Sequence, residues 1–368
     1  MASETGEKIR VVVLFSGGLD SSLAVRLMQN QGLDVTALTC INAFSPELKQ
    51  RRGSGARRMA RQLGVPLIMH EFTDQLIKLV ENPPHGYGSN MNPCVDCHCH
   101  MLKYVAGLIA EGKYHFVATG EVLGQRPMSQ RKPVMMHIDK EAGLGRMVLR
   151  PLSAKCMPIT IPEEKGWVDR EKLKDFNGRS RKPQMQLAKE FGFREYQTPA
   201  GGCLLTDPQF AFRVKDLKEH EGLTEADVEI MKVGRYFRLS DSARIIVGRN
   251  QADNQALQVM SLPGDVRLRA ASAPGPTAVL RVPADEDSQT TIAAMMTAQP
   301  CPELLTLAAE LVAAHCPKLE SDPTAGIRLQ RGDAVRTVDV KVRQRSDFAA
   351  MRIELADKPD QKKGGRAE

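Results

Sequence analysis

Two short stretches of the chain carry residue types able to do chemistry. Residues 92–101, NPCVDCHCHM, crowd Cys94, Cys97 and Cys99 against His98 and His100. A further thiol, Cys203, sits in TPAGGCLLTDP behind two glycines, which let the backbone come close to a bulky group. Thiolates are nucleophiles and soft metal ligands, so a disulfide, a metal site and a redox pair all fit these residue types. A tetrahedral zinc site needs four nitrogen or sulfur ligands. Only one C-x-x-C pair is present, and the consecutive Cys97, His98 and Cys99 are poorly spaced to converge on one ion. The second stretch, residues 16–22, reads SGGLDSS. Its glycines let the main chain approach an anion, and successive N–H groups ahead of a helix supply positive partial charge. Neither G-x-x-x-x-G-K-S/T nor G-x-G-x-x-G occurs there.

The surrounding elements decide where these residues act. IRVVVLF (9–15) predicts a strand buried on both faces. SGGLDSS follows at its carboxyl end, where open α/β sheets bind ligands. LAVRLMQNQG then has helical spacing and ends on Gly32. Further strands are predicted over 34–40, 65–72 and 115–120, and helices over 55–63 and 101–112. This alternation predicts an α/β domain with a parallel, doubly wound sheet over residues 1–160. Residues 161–240 are polar and basic, with helical patterns at 167–176, 181–192 and 209–220; they predict a connecting, RNA-facing region that carries Cys203. Over 241–350, SARIIVGRN, VRLRAAS, TAVLRVP and RTVDVKVRQ read as strands, while TIAAMMTAQP and PELLTLAAELVAAHC read as helices. They predict a small α+β domain. Residues 351–368, low in apolar content, predict a disordered tail.

A chain of 368 residues with 42% hydrophobic and 26% charged residues is an ordinary globular sequence, long enough for more than one domain. The polar start, MASETGEKIR, lacks the apolar run of a signal peptide, and no apolar run matches the length of a membrane span. The expected compartment is therefore cytoplasmic, with no membrane partner. Thiols stay reduced there, so the eight cysteines are expected to be free, metal-bound or catalytic. Cys40, Cys156, Cys301 and Cys316 lie in apolar contexts and read as small buried hydrophobes. The net charge is +7 and the pI about 9.0. Lysine and arginine concentrate at 49–62 and 165–190, which points to a polyanionic partner.

The S-G-G-x-D-S pattern directly after an apolar strand resembles the loop of the PP-loop, adenine nucleotide alpha hydrolase-like enzymes, which split ATP into AMP and pyrophosphate. The resemblance implies that Ser16, Gly17, Gly18, Ser21 and Ser22 hold the pyrophosphate. It implies also that Asp20 organises the loop and a Mg2+ ion. VATGEVLGQRPMSQ (117–130) and RMVLRPLSAK (146–155) are similar to segments of tRNA 4-thiouridine synthase, with the 2-thiouridine synthases as relatives that share its chemistry. This likeness runs over roughly residues 8–215. It implies ATP with adenosine near Thr39, Thr119 and Gly120, adenylation of a uridine carbonyl, and replacement of the oxygen by sulfur, 4-thiouridine ahead of 2-thiouridine. That family also carries an N-terminal RNA-binding THUMP region, for which a loop at residue 16 leaves no room upstream, and some members carry a rhodanese domain not visible here. RNA contacts are then expected from Arg179, Arg181 and Lys182. They are expected also from residues 244–282, which resemble the NFACT-R RNA-binding domain. Val247-Gly248-Arg249-Asn250, Asn254 and Leu257 fit that pattern, while Leu268 and Ala270 stand where an aromatic residue and a histidine are usual.

Cys94-x-x-Cys97 with the distant Cys203 resembles the three thiolates of the cluster-dependent thiouridine synthases. The resemblance implies a 4Fe–4S cluster whose open iron carries sulfide. The alternative is a persulfide on Cys203, resolved by Cys94 or Cys97. The expected catalytic set is Asp20, Cys94, Cys97 and Cys203. Expected partners are tRNA and a sulfur donor, either a cysteine desulfurase or free sulfide, with a homodimer left open. Two other classes remain: a PP-loop enzyme acting on a small metabolite, and a non-catalytic RNA-binding protein with a nucleotide-sensing domain.

Overall fold

The structure, a computed structural model, describes residues 8–193, 196 and 202–353. The chain forms two compact units, residues 1–204 and 205–368.

In the first unit, strands β1 (Arg10–Leu14), β2 (Asp34–Ile41), β3 (Leu67–Glu71), β4 (Phe116–Thr119) and β5 (Val148–Leu149) pair in parallel in the order β3-β2-β1-β4-β5. Alternation along the strands builds a core on each face. Val11, Val13, Ala37 and Phe116 pack against α1 (Leu19–Asn30), α2 (Ser54–Leu63) and α7 (Lys182–Glu190). Val12, Leu38 and Val117 pack against α4 (Cys94–Ala110) and α5 (Lys132–Glu141). The sheet is thus doubly wound, and each fully buried valine contributes about 1.5–3 kcal/mol of apolar burial. Helices α3 (Thr73–Glu81) and α6 (Ile161–Glu164) complete the unit. The strand order reverses beside β1, with β2 on one side and β4 on the other. That reversal opens a crevice at the strands' carboxyl ends.

The second unit contains α8 (Pro208–His220), α9 (Glu225–Ile230) and α10 (Gln251–Met260). Its antiparallel sheet comprises β6 (Arg235–Ser240), β7 (Ala243–Val247), β8 (Val266–Ala270), β9 (Ala278–Arg281), β10 (Thr324–Arg331) and β11 (Ala334–Lys341), in the order β11-β10-β8-β9-β7-β6. Leu305, Leu311 and Val312 of α12 (Glu303–Ala314) and Ile292 of α11 (Glu286–Met295) form a core with Ile245, Leu268, Leu280 and Ile327. The sheet also carries buried charge. Arg244 and Arg281 stand opposite each other on β7 and β9. Acidic groups offset the repulsion: Arg244 pairs with Glu221 and Asp227, and Arg281 with Asp227 at 3.0 Å and Asp265 at 2.8 Å. Burial and the neighbouring Arg281 bring the Arg244 pKa down to about 9.

The elements differ from their expected bounds in informative ways. The helix expected to begin at 101 begins at Cys94, so the cysteine stretch is its first turns. The helix expected at 167–176 is only a single turn, Arg170–Lys172. Lys174 and Phe176 instead donate main-chain hydrogen bonds to Pro151 and Leu152, which holds the chain extended. The region expected to connect the domains, 161–240, divides at 204/205, and β6 within it pairs with β7. Thr198 to Gly201, ahead of Cys203, and residues 354–368 of the expected tail lie outside the described residues.

Replacing Arg281 by alanine leaves Asp265 and Asp227 short of a buried partner. The expected loss is about 3–5 kcal/mol of unfolding free energy. A denaturant melt of the variant against the parent reads it directly.

Candidate active site

A cavity of about 780 Å3 opens at the carboxyl ends of the central strands. One wall is the loop between β1 and α1. Gly17 has φ +77°, and a Cβ there would lie 2.7 Å from the Cα of Ala56, so only glycine lets the loop pass α2. Gly18 is the N-cap of α1 and gives it no side-chain cap. The Ser21 and Ser22 hydroxyls donate to the Gly18 carbonyl at 3.1 and 2.8 Å and brace the loop. The Gly18 N–H donates to Ser16 Oγ at 3.3 Å, and the helix N-terminus meets the cavity with no cap from the Gly18 side, which is how a fold prepares to hold an anion. Gly120 closes the loop from the β4 side, since a Cβ there would lie 2.5 Å from the Ser21 amide nitrogen. Thr39 and Thr119 line the same cavity, but their hydroxyls are engaged: Thr39 donates to the Phe15 carbonyl at 2.6 Å, and Thr119 to Glu121 at 3.1 Å.

Asp20 is held by Gln125, whose Nε2 donates to Oδ2 at 2.9 Å, and Gln184 in turn donates to Gln125 at 2.8 Å. Arg181 Nη2 lies 3.5 Å from the same Oδ2. Oδ1 of Asp20 is buried with no partner among the described residues. An orphaned carboxylate oxygen beside a helix N-terminus fits a hard divalent cation such as Mg2+.

The opposite wall carries the thiols. Cys40, His98 and Cys203 line the cavity. No disulfide joins the cysteines among the described residues. Cys97 is close enough to Cys203, Cys94 and Cys40 for their charges to act on it, and burial together with these thiols pushes its pKa well up. Burial alone pushes Cys40 to about 12. Cys94 goes the other way. Burial would raise it, but a hydrogen bond to and the charge of His98, one helical turn on, leave it below an ordinary thiol. As the first residue of α4 it also sits at the positive end of the helix. His98 is held at about 10: burial opposes its charge, and Cys94 and Glu121 outweigh burial. Its Nδ1 is 3.3 Å from Glu121 Oε1. Despite its own burial, Glu121 is held at about 2, first by Arg150 and then by His98. Arg150 donates to Glu121 at 3.0 Å and forms a two-pronged pair with Asp139 at 2.7 and 2.8 Å. The result is a buried relay, Asp139–Arg150–Glu121–His98–Cys94, that ends on a thiol whose pKa is lowered. Three soft donors brought together as Cys94, Cys97 and Cys203 also suit an iron–sulfur cluster by donor chemistry.

The structure thus brings Asp20 and Cys203 to one cavity, with Cys97 behind Cys203 and outside the lining, and adds His98, Glu121 and Gln125 to that cavity and Arg150 behind Glu121, none of which the sequence reading gave a role. Their signals were present: the four-residue spacing of Cys94 and His98, and the T-G-E, L-G-Q and R-P-L segments, whose Glu121, Gln125 and Arg150 do the positioning. Arg179 and Arg181, expected at RNA, line the nucleotide cavity, whereas Lys182 is exposed at the start of α7. His100 stacks on Phe72, with ring centroids 5.4 Å apart. In the second unit, Asn250 accepts from the Asp253 amide at 2.9 Å and caps α10, and Arg249 pairs with Asp253 at 2.7 Å while its side chain stays half exposed. Gly248 is required because a Cβ would collide with Asn254.

The fold is that of an α/β domain of the PP-loop class. Comparison with known families makes this specific. Residues 9–141 match the tRNA methyl transferase HUP domain, and residues 234–303 match the NFACT protein RNA binding domain. The chain thus joins a region similar to the tRNA methyl transferase HUP domain to a region similar to the NFACT protein RNA binding domain. It is 32% identical over 130 residues to the tRNA-specific 2-thiouridylase MnmA of Clostridium beijerinckii, covering 31% of this chain and 35% of that protein. It is 33% identical over 135 residues to the enzyme of the same name from Rhizobium leguminosarum bv. trifolii, covering 33% of each. The chain thus spans about a third of the length of these curated relatives. A solved 4-thiouridine synthetase–RNA complex with bound ATP is similar at 19% identity with a TM-score of 0.32, over 51% of this chain and 54% of that one.

The relay predicts that Cys94 alkylates faster than Cys97 at neutral pH. Replacing His98 by glutamine removes the stabilising cation, so the Cys94 titration midpoint moves up. Its alkylation at pH 7 falls by roughly tenfold for each pH unit of that move. Peptide mass mapping of iodoacetamide-labelled protein across a pH series measures both thiols at once.

Proposed function

We propose that this protein thiolates a uridine of tRNA at the expense of ATP. One observation carries the reading: a helix N-terminus prepared for an anion and the thiols of Cys40 and Cys203 face a single cavity. The triphosphate would lie on the N–H groups of residues 18–21, with adenosine toward Thr39, Thr119 and Gly120. The uridine carbonyl oxygen attacks the α-phosphorus, and pyrophosphate leaves toward the loop, where the main-chain donors take up the developing charge. Mg2+ held at Asp20 would neutralise phosphate charge when bound. AMP is then the leaving group on the base carbon. The base must leave its stack to reach the cavity. The exposed arginines of α2, with Arg179, Lys182 and the half-exposed Arg249, would hold the tRNA backbone through phosphate contacts. The family matched by residues 234–303 supports an RNA substrate. We place carbon 2 ahead of the carbon 4 expected from sequence, because the curated relatives are 2-thiouridylases.

Sulfur delivery has two readings. Cys94, Cys97 and Cys203 would hold a 4Fe–4S cluster, which supplies an open iron for sulfide. The relay into Cys94 favours the second reading, a persulfide. A persulfide on Cys203 attacks the adenylated carbon and AMP departs. The Cys94 thiolate then attacks Cys203 Sγ, which releases the thiocarbonyl and leaves a Cys94–Cys203 disulfide for an external thiol to reduce. An ordinary thiol is largely protonated at neutral pH, so the depressed Cys94 is suited to this step.

Asp20→Ala is expected to slow pyrophosphate release by about 100-fold or more. Cys203→Ala is expected to keep pyrophosphate release and lose thiouridine in the digested tRNA. Nucleoside mass spectrometry of the same digest reads the position of the sulfur. ATP turnover that is indifferent to added tRNA would overturn the substrate assignment. Iron and acid-labile sulfide after anaerobic purification decide the delivery route: their presence, lost in each of the three cysteine variants, selects the cluster, and their absence in an active preparation selects the persulfide.

A further inference from the structure

A second cluster of ligand-type side chains lies outside this cavity. His85 belongs to the segment between α3 and α4, and His137 and Glu141 stand one turn apart on α5. The Nε2 atoms of the two histidines are 3.1 Å apart, His85 Nε2 is 3.2 Å from Glu141 Oε2, and His137 Nε2 is 3.4 Å from the same oxygen. Ligands held about 2.0 Å from zinc at tetrahedral angles stand roughly 3.3 Å apart. The triangle has the size of one tetrahedral face.

The orientation of each group is set from behind. Asp96 is only 5% exposed, and its Oδ1 lies 2.6 Å from His85 Nδ1. Its carboxylate accepts the hydrogen bond from Nδ1–H, which in the neutral tautomer leaves the Nε2 lone pair facing His137 and Glu141. Lys103 Nζ holds the other oxygen of Glu141 at 3.1 Å and the Cys99 thiol also hydrogen-bonds this carboxylate, while Oε2 lies against both histidines. A proton on His137 Nε2 can serve only one of its two neighbours. His85 Nε2 and Glu141 Oε2 are then two acceptors at 3.2 Å with no proton between them. A cation at the centre resolves the conflict. A carboxylate behind a ligating imidazole is also the arrangement that fixes tautomer and ring angle in zinc sites.

We propose that His85 Nε2, His137 Nε2 and Glu141 Oε2 bind a zinc ion with its fourth position open to water, and that Asp96 positions His85. Two imidazoles and one carboxylate suit zinc by donor type. The ion would tie the segment that leads into α4 to α5, and so anchor the helix end on which Cys94 sits. The proposal is independent of the sulfur-transfer reading, since none of the three ligands lines the cavity.

The test uses the full chain with Cys94, Cys97 and Cys203 all changed to serine, so that no thiol of that set can take the metal. After chelator treatment and dialysis, calorimetric titration with zinc alone is expected to show a single equivalent bound. His137→Ala in that background is expected to abolish it, and Asp96→Asn to weaken it by about 10–100-fold. The His137 side chain is 54% exposed, so its loss is expected to leave the metal-free circular dichroism unchanged. In the chain with its cysteines intact, His137→Ala is expected to lower metal content by the same single equivalent, which keeps the test valid if the serine variant folds poorly. Zinc content indifferent to His137→Ala in both backgrounds overturns the site. Protonated histidines would then account for the triangle.

Discussion

Arg150 lies buried between Glu121 and Asp139; its charge keeps Glu121 ionised in that interior and offsets part of the burial that raises the Asp139 pKa. The reactive end of α4 depends on this pairing. A buried Glu121 without Arg150 would take up a proton; His98 would lose the charge it faces; and Cys94 would revert to an ordinary buried thiol. Removing one member of such a buried chain leaves an uncompensated charge, an effect of several kcal/mol, far above that of a surface pair.

The same turn that carries Glu121 also shapes the nucleotide loop. Gly120 packs against the first turn of α1 so closely that no Cβ fits, and the next residue reaches His98. Thr119-Gly120-Glu121 thus joins the two halves of the site through consecutive residues. Gln125, a few positions on, steadies Asp20. Such a layout suits the proposed thiolation, in which the carbonyl oxygen is activated first and sulfur then attacks the carbon that bears it.

Local pattern made much of the fold legible. The valine run of β1, the glycines after it and the alternation of strands and helices lead to a parallel sheet and its phosphate loop, because a strand buried on both faces has few other places to sit. The start of α4 was hidden, since Pro93 and a run of cysteines and histidines have no clear amphipathic period. Residues 167–176 carry helical spacing, yet main-chain bonds to Pro151 and Leu152 draw them out straight. The strand at 235–240 falls in a stretch whose composition is polar and basic, and Arg238 there is held by Asp216 and Glu221.

Taken alone, the sequence determined the α/β class, the phosphate loop and the thiols with most chemical potential, because those depend on residue type and short spacing. Tertiary structure decided which thiol has its pKa lowered and which neighbours tune it. Glu121, His98 and Arg150 are up to 52 positions apart in the chain, and a pKa follows from distance and burial in space. The same holds for His85 and the His137–Glu141 pair. They are separate residues of no evident pattern until the packing of α5 beside α4 brings their ring nitrogens and carboxylate within a few ångströms.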